Sequence, residues 1–344
     1  MSMAFQLEET ANPRFRVNEI FPATECFGHP RMIELVEKYR LESVVAGVQG
    51  EWDRIRALRH WIFSRIEVEN DHPTPCREDA LAILDSASRG GRFHCAHFSL
   101  VLHAVLNSFG YIARRLQCGP GQPGDDGNHG VNEVWVNEFC KWVLVDAKYD
   151  LHFEKGEVPL SALEIRDEVL SDGGKAVALK RGPHGQVRAG EIPKEKLGGR
   201  AATYRWCAWE TNTNHFTAAP SAFSSALVVY ADPYFSANTW FRDGRPHWAY
   251  GTPYFLPIAR RDFIEWTPNV VDARTDIEGE TASIALRSCT PNFKTYQQQV
   301  DGGKWADCAD VVSAKLHRGN NEFAFRSVSL FGVGGPVHRV RITG

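Results

Sequence analysis

The segment HCAHFSLVLHAVLNSFG, residues 94–110, is the most regular part of the sequence and decides how its surroundings fold. Its apolar residues recur at the i, i+3, i+4 and i+7 spacing that marks one face of a helix. Gly110 follows the last of them, at the position where a left-handed residue commonly ends a helix. The spacing predicts an apolar helix that begins at Cys95. Its predicted buried face consists of Phe98, Val101, Leu102, Val105, Leu106 and Phe109.

Cys95 lies at the first turn of this predicted helix. A single cysteine on an apolar helix is most often a small buried hydrophobic residue. At a helix start, however, unpaired backbone N–H groups and the positive end of the helix dipole favour the thiolate, which is the nucleophilic form. Cys95 is therefore a candidate nucleophile.

Two β-rich runs, residues 131–136 and 141–145, predict a hairpin downstream of a loop rich in glycine and proline. If the last residue of the first run pairs with the first residue of the second, the numbers of paired residues sum to 277. Trp135 then faces Trp142, and we interpret these rings as a cross-strand packing pair rather than a platform for a sugar.

The same register brings His129 and Asp146 together as diagonal neighbours on one face of the hairpin. A slip of one residue would place them on opposite faces. In the assumed register the imidazole can serve as base to the thiol of Cys95, while the carboxylate orients the ring and supports its charge. The sequence predicts a catalytic triad of Cys95, His129 and Asp146.

The order Cys, His, Asp on a helix start and two adjacent strands resembles the transglutaminase-like superfamily of papain-fold enzymes. The motifs are GRFHCAHF at 91–98, NHGVNEVW at 128–135 and KWVLVDA at 141–147. The resemblance covers about residues 50–155. It implies that Cys95 is the nucleophile, His129 the base and Asp146 the orienting acid.

Papain-like peptidases use a glutamine a few residues before the cysteine to donate a hydrogen bond to the oxyanion. This sequence has no such glutamine, and position 89 is Arg89. The backbone N–H of Cys95 could provide one such donor. The sequence leaves the second donor unassigned.

The fold class predicted for the chain is α+β. A papain- or transglutaminase-like core, in which a helical lobe with the nucleophile helix packs on an antiparallel sheet, covers residues 1–200 and includes a polar insertion. An aromatic-rich β extension covers residues 201–263. Short strands with regular turn signals predict a small Ig-like β-sandwich over residues 264–344.

Several other polar and aromatic residues are weaker candidates. Most of the aromatic residues between 206 and 255 are interpreted as core, with Trp240, His247 and Trp248 the candidates for substrate binding. His94 and His97 flank Cys95 and could bind metal with it, although local polar contacts explain them better. We predict no cofactor, since the two acids at 125–126 lack the spacing of a calcium loop, although calcium would fit by family analogy.

The overall composition excludes several classes of function. Hydrophobic residues make up 43% of the 344 residues and charged residues 24%, as in globular proteins. The 39 basic and 42 acidic residues give a formal charge of −3, so the protein has no net positive electrostatic field that would attract nucleic acid.

No apolar run reaches the roughly 20 residues of a membrane helix. Residues 1–10 lack a secretory signal pattern, so we expect a cytoplasmic protein unless such a signal has been removed. The eight cysteines include no C-x-x-C pair, which favours a mostly reduced chain.

Together the patterns favour a cysteine-dependent amide hydrolase or acyl-transferase that works through a thioester. Its substrate would be a peptide, protein or glycoconjugate amide. The alternative is a binding or adhesion protein that uses the same fold as a scaffold for carbohydrate or protein, and the triad motif alone does not separate the two.

Overall fold

The computed structural model describes residues 5–21, 23–77, 79–119, 128–184, 202–214, 216, 226–234, 241–242, 245–246 and 255–344. The chain divides into two compact units. The larger consists of Ile20–Val136 and Lys141–Ile264, and the smaller of Met1–Glu19, Asn137–Cys140 and Glu265–Gly344. None of the helices in the described residues is long and apolar enough to span a membrane.

The described helices all belong to the larger unit. They are α1 (Pro30–Lys38), α2 (Leu41–Val45), α3 (Glu51–Phe63), α4 (Ala80–Ala87), α5 (Cys95–Ser108), α6 (Ala162–Asp172) and α7 (Arg261–Ile264).

Local sequence explains where several of these helices begin and end. Asp79 caps α4, because its carboxylate accepts a hydrogen bond from the backbone N–H of Ala82. Ser161 and Glu164 form a reciprocal capping box at the start of α6. Gly173 ends α6 in a left-handed conformation with φ of 81°.

The predicted helix at Cys95 is confirmed as α5, and it lies at the centre of the larger unit. Residues 98–106 of α5 are all buried, which is more than the predicted apolar face, whereas Phe109, the last residue of that face, follows the end of the helix and is only half-buried. The helix contacts α1, α3 and α4 as well as two strands of the central sheet, so that it is covered on all sides. Even Ser99 is buried, and its hydroxyl donates a hydrogen bond to the carbonyl oxygen of Val131 at 3.0 Å.

Fifteen strands lie in the described residues of the larger unit. They are β2 (Ala23–Thr24), β3 (Glu67–Val68), β4 (Arg92–Phe93), β5 (Ala113–Gly119), β6 (His129–Val136), β7 (Lys141–Val145), β8 (Leu151–Lys155), β9 (Val158–Pro159), β10 (Ala178–Arg181), β11 (Trp206–Glu210), β12 (Asn212–Thr213), β13 (Leu227–Tyr230), β14 (Phe241–Arg242), β15 (Arg245–Pro246) and β16 (Phe255–Ile258). Six of them form the central sheet, in the order β16-β13-β11-β5-β6-β7.

The predicted hairpin is confirmed, and so is its register. β6 and β7 are antiparallel, and Val136 pairs with Lys141 and Trp135 with Trp142. The two tryptophan rings meet edge to face with centroids 6.1 Å apart, and both are buried. They therefore form a packing pair, as the sequence predicts.

A buried charge cluster joins the hairpin to its neighbours in the larger unit. Arg114 donates two hydrogen bonds to Oε2 of Glu133, from Nε at 3.0 Å and Nη2 at 2.7 Å. The same oxygen accepts the indole N–H of Trp209, and Oε1 accepts the backbone N–H of Ala162 at the start of α6, both at 2.7 Å. Because every one of these groups is buried, the cluster is satisfied internally rather than by solvent.

Residues 147–184 hold more regular structure than a polar insertion suggests. They contain the sheet β10-β8-β9 and the helix α6. Part of the predicted β extension, 201–263, is continuous with the core sheet: Trp206–Glu210 pairs with β5 and Leu227–Tyr230 pairs with β11. All five residues of β11 are buried, because the strand has a neighbour on each side.

In the smaller unit, the residues that the structure describes form eight strands in two sheets. They are β1 (Gln6–Glu8), β17 (Val271–Glu278), β18 (Thr281–Ser288), β19 (Phe293–Val300), β20 (Ala306–Cys308), β21 (Val311–Lys315), β22 (Asn320–Ser329) and β23 (His338–Thr343). The sheet orders are β1-β23-β22-β19-β20 and β17-β18-β21. The two sheets contribute to one apolar core, with Ile284 from β18 and Phe325 from β22 both fully buried. The Ig-like assignment of this unit stays a prediction.

The first residues of the chain belong to this smaller unit. Gln6 pairs with Thr343 and Leu7 with Ile342, so β1 extends the larger of its two sheets. The sequence groups residues 1–19 with the first domain, because a three-residue exposed strand has no periodicity that shows its partner.

Candidate active site

Cys95 is the first residue of α5, as predicted. The imidazole of His94 caps the helix, since its Nδ1 accepts a hydrogen bond from the backbone N–H of Ala96 at 3.3 Å. The N–H of Cys95 is one of the first four in the helix, which have no intrahelical acceptor. The thiol therefore lies at the positive end of the helix dipole, where an anion is favoured.

Gly130 allows strand β6 to approach the start of α5. A Cβ atom on this residue would lie 3.3 Å from Cα of Ala96 and 3.4 Å from its backbone nitrogen, closer than nearly all such contacts. With no side chain at this position, the strand packs directly against the first turn of the helix. His129, the preceding residue, is thereby held beside Cys95.

The structure places Cys95, His129 and Asp146 next to one another. Nε2 of His129 lies 2.7 Å from Oδ2 of Asp146, and the same imidazole interacts with the Cys95 thiol and lowers its pKa. Asp146 is 2% exposed, and its Oδ1 accepts the backbone N–H of Tyr149 at 3.2 Å. Each carboxylate oxygen thus has its own donor.

The electrostatic environment of Cys95 and His129 favours a thiolate beside an imidazolium. Burial on its own opposes ionisation of Cys95, but hydrogen bonds from His129, His94 and the backbone of Gly130, with the charge of His129, lower the pKa of the thiol to about 5. Burial likewise opposes the charge on His129, but the charge and hydrogen bond of Asp146 and the contact with Cys95 raise its pKa to about 10. Between these values the ion pair is the favoured state.

His97 and Cys118 also lie next to the site, but neither is part of the proposed triad. Burial, followed by the charges of His94 and Arg115, lowers the pKa of His97 to about 4, so its ring is neutral near pH 7. Nδ1 of His97 lies 3.3 Å from Nδ1 of His94. Burial raises the pKa of Cys118 well above its ordinary value, and its thiol donates to the carbonyl oxygen of His129 at 3.3 Å. Cys118 is thus an inert thiol next to a reactive one.

The residues predicted to bind substrate or calcium are outside the part of the chain that the structure describes. Trp240, His247 and Trp248 lie outside the described residues, as do Asp125 and Asp126. Within the described part of the chain, no group of three His, Cys, Asp or Glu side chains could hold a metal ion. All eight cysteines are free thiols.

Sequence reasoning missed several residues that shape the site. Gly130 lies within a motif quoted for the resemblance, but only the packing distance to Ala96 shows why glycine is needed there. Asp150 and Arg59 form a buried ion pair next to the turn that follows Asp146, with Nε of Arg59 at 2.9 Å from Oδ1 of Asp150. The two residues are 91 positions apart, and no sequence signal joins them.

Comparison with known proteins bears on the part of the chain that contains this site. A search of curated protein sequences gave no match. The model of one protein family, described as the transglutaminase-like superfamily, matches residues 38–147, which include Cys95, His129 and Asp146. This match confirms, over residues 38–147, the resemblance to the transglutaminase-like superfamily that the sequence motifs indicate.

Proposed function

We propose that the protein is a cysteine-dependent amide hydrolase or acyl-transferase with Cys95 as nucleophile, His129 as general acid and base, and Asp146 as the orienting acid. The observation that carries the proposal is the 2.7 Å contact between Nε2 of His129 and the buried carboxylate of Asp146, beside a thiol at the start of α5 whose pKa the imidazole lowers. A merely structural cysteine has no need of a charged imidazole held in this way.

The reaction would begin with attack of the Cys95 thiolate on the carbonyl carbon of an amide. The carbonyl π electrons move to oxygen, and the backbone N–H of Cys95, at the start of α5, is one donor available to that oxyanion. When the oxyanion collapses, the C–N bond breaks and the His129 imidazolium gives its proton to the leaving amine. The products of this half-reaction are a thioester on Cys95, a free amine and a neutral imidazole.

The second half-reaction would regenerate the ion pair. Neutral His129 accepts a proton from water or from an acceptor amine as that molecule attacks the thioester carbonyl. Collapse of the second oxyanion expels the Cys95 thiolate, and the acyl group leaves as an acid or as a new amide. Asp146 stabilises the imidazolium each time that it forms, at the 2.7 Å contact with Nε2.

The substrate would be a peptide, protein or glycoconjugate amide. Hydrolysis and acyl transfer share the thioester and differ only in the molecule that attacks it, so the triad serves either reaction. Trp240, His247 and Trp248 remain the residues proposed to contact the substrate. We propose no cofactor.

An activity-based probe with an amide-like electrophile tests the proposal. Peptide mass spectrometry should find the probe on Cys95 of the wild-type protein, and neither Cys95→Ala nor His129→Ala should be labelled at that site under the same conditions. Cys26 is an exposed free thiol in the same chain and serves as an internal control. If Cys95 is labelled no faster than Cys26, the proposed function is wrong, and the alternative of a binding or adhesion protein built on this fold is favoured.

A further inference from the structure

A tight turn follows Asp146 and determines how its carboxylate is presented. The backbone N–H of Asp146 donates to the carbonyl oxygen of Leu151 at 2.9 Å, and the N–H of Leu151 donates back to the carbonyl oxygen of Asp146 at 3.0 Å. Within the turn, the N–H of Tyr149 donates to Oδ1 of Asp146. Because Oδ1 is occupied by the turn, Oδ2 is left to face His129.

Asp150, the last residue of the turn, has an unfavourable backbone conformation. Its φ is 51°, in the left-handed region that glycine adopts freely and that is unfavourable for residues with a side chain. Such a conformation persists when surrounding contacts over-determine it. Both carboxylate oxygens of Asp150 have partners on helix α3: Nε of Arg59 lies 2.9 Å from Oδ1, and Nδ1 of His60 lies 2.6 Å from Oδ2.

Arg59, the partner of Asp150, is itself fixed by further contacts. Its side chain is fully buried, its Nη1 lies 3.0 Å from Nδ1 of His152, and its Nη2 donates to the carbonyl oxygen of Gly182 at 2.9 Å. Burial lowers the pKa of Arg59, and the charges of Asp150 and Asp146 oppose that shift. The guanidinium is therefore close enough to Asp146 for the two charges to interact.

We infer that Asp150, fixed by Arg59 and His60, is a positioning residue that holds the turn after Asp146 so that the Asp146 carboxylate faces His129. This inference rests on the proposed function, since it concerns how the proposed triad is held in place. Among the described residues, the carboxylate of Asp150 hydrogen bonds with Arg59 and His60 and not with Cys95 or His129. Its effect passes through the turn, the N–H of Tyr149 and the orientation of Asp146.

The expected consequence is electrostatic. When the turn is released, the bond between Asp146 and His129 weakens, the imidazolium is less stabilised, and the Cys95 thiolate loses part of the positive charge that favours it. The midpoint of Cys95 ionisation then rises. Other titratable or charged side chains near Cys95, His129 and Asp150 could also change this midpoint, so no variant that is compared should alter them, except where the substitution itself is the test. Those near Cys95 and His129 are Asp146, His94, His97, Arg115 and Cys118, and those near Asp150 are Arg59, His60, His152, Arg56, Glu154 and Lys180.

The test measures the rate of Cys95 alkylation by iodoacetamide as a function of pH, with peptide mass spectrometry to identify the site. Asp150→Gly keeps the left-handed backbone without strain but removes both ion-pair contacts. Asp150→Asn tolerates the same backbone and keeps an oxygen for Arg59. Asp146→Asn is the positive control. Asp232→Asn weakens a different contact, the part-buried bidentate pair with Arg166, and is the control for lost stability alone.

We expect Asp150→Gly to raise the midpoint by about one pH unit, which is a tenfold loss of thiolate at a fixed pH below the midpoint. Asp150→Asn should raise it less, and Asp232→Asn should leave it unchanged. If Asp150→Gly has the wild-type midpoint while Asp146→Asn is shifted, the inference is wrong and the proposed function stands. An equal shift in Asp232→Asn would also overturn the inference.

A second variant covers the case in which Asp150→Gly does not fold. His60 is 37% exposed at its side chain, so His60→Gln removes one partner of Asp150 at small cost to the core. An upward shift of the midpoint in folded His60→Gln supports the inference, and a wild-type midpoint overturns it. If Cys95 in the wild-type protein ionises like the exposed Cys26, the proposed function itself fails.

Discussion

Replacement of His129 by alanine should convert Cys95 from a thiolate into an ordinary buried thiol. The substitution removes a hydrogen bond and a positive charge that both lower the pKa of Cys95, while burial continues to raise it. The contacts with His94 and Gly130 remain. We therefore expect the midpoint of Cys95 ionisation to move from about 5 to at least the ordinary thiol value of about 8.5, a shift of about 3.5 pH units.

The magnitude of the rate change decides which quantity to measure. At pH 6 a thiol with a pKa near 5 is about nine-tenths thiolate, and one with a pKa near 8.5 is about 0.3% thiolate, a loss of roughly 300-fold. A thiolate of higher pKa is intrinsically more nucleophilic, with a Brønsted coefficient of about 0.4–0.5. The rate constant of the thiolate itself therefore rises roughly 30-fold and offsets part of this loss. The net fall in rate at pH 6 is only about tenfold, so the midpoint of the pH profile is the sharper readout.

The assay is iodoacetamide alkylation of wild type and His129→Ala across the pH range, with Cys26 followed in the same samples as the exposed reference thiol. Circular dichroism of both proteins would show that the variant is folded. The reasoning is refuted if the two proteins give the same midpoint for Cys95, or if the wild-type midpoint lies with that of Cys26.

Three further substitutions test individual parts of the account. Gly130→Ala places a methyl group 3.3 Å from Cα of Ala96, so we expect a loss of about 1–3 kcal/mol in urea unfolding together with a higher ionisation midpoint for Cys95; an unchanged midpoint would show that close approach is not needed. His94→Ser keeps a good helix cap but removes an imidazole from the thiol, so alkylation should show a raised midpoint while the free energy of unfolding changes by less than about 0.5 kcal/mol; the reverse pattern would count against a role in ionisation. Glu133→Ala removes the carboxylate that accepts two hydrogen bonds from the buried guanidinium of Arg114, and urea unfolding should show a loss of about 3–5 kcal/mol; a loss below about 1 kcal/mol would contradict the assigned cluster.

The sequence predicts the local elements of the site well, because they depend on short-range patterns. The 3.6-residue spacing of apolar side chains is enough to locate the helix that begins at Cys95. The register of β6 and β7 follows from the length of the turn, and it places His129 and Asp146 on one face.

Contacts between distant parts of the chain could not be predicted from such patterns. Asp150 lies in a turn and is held by Arg59, which lies 91 residues earlier on helix α3, and a charged residue inside an amphipathic pattern gives no sign of its partner. In the same way, the pairing of Trp206–Glu210 with β5 depends on which strand is adjacent in space. The three-residue strand at Gln6–Glu8 has no pattern that joins it to the C-terminal end of the chain.

The ionisation of Cys95 is the property on which the proposed mechanism depends. It can be observed directly as the difference in thiolate ultraviolet absorbance between the wild-type protein and Cys95→Ser during a pH titration. The account predicts a single step in this difference with a midpoint near pH 5, since the other seven cysteines are common to both proteins. A step near the ordinary thiol value of about 8.5, or no step below it, would contradict the account.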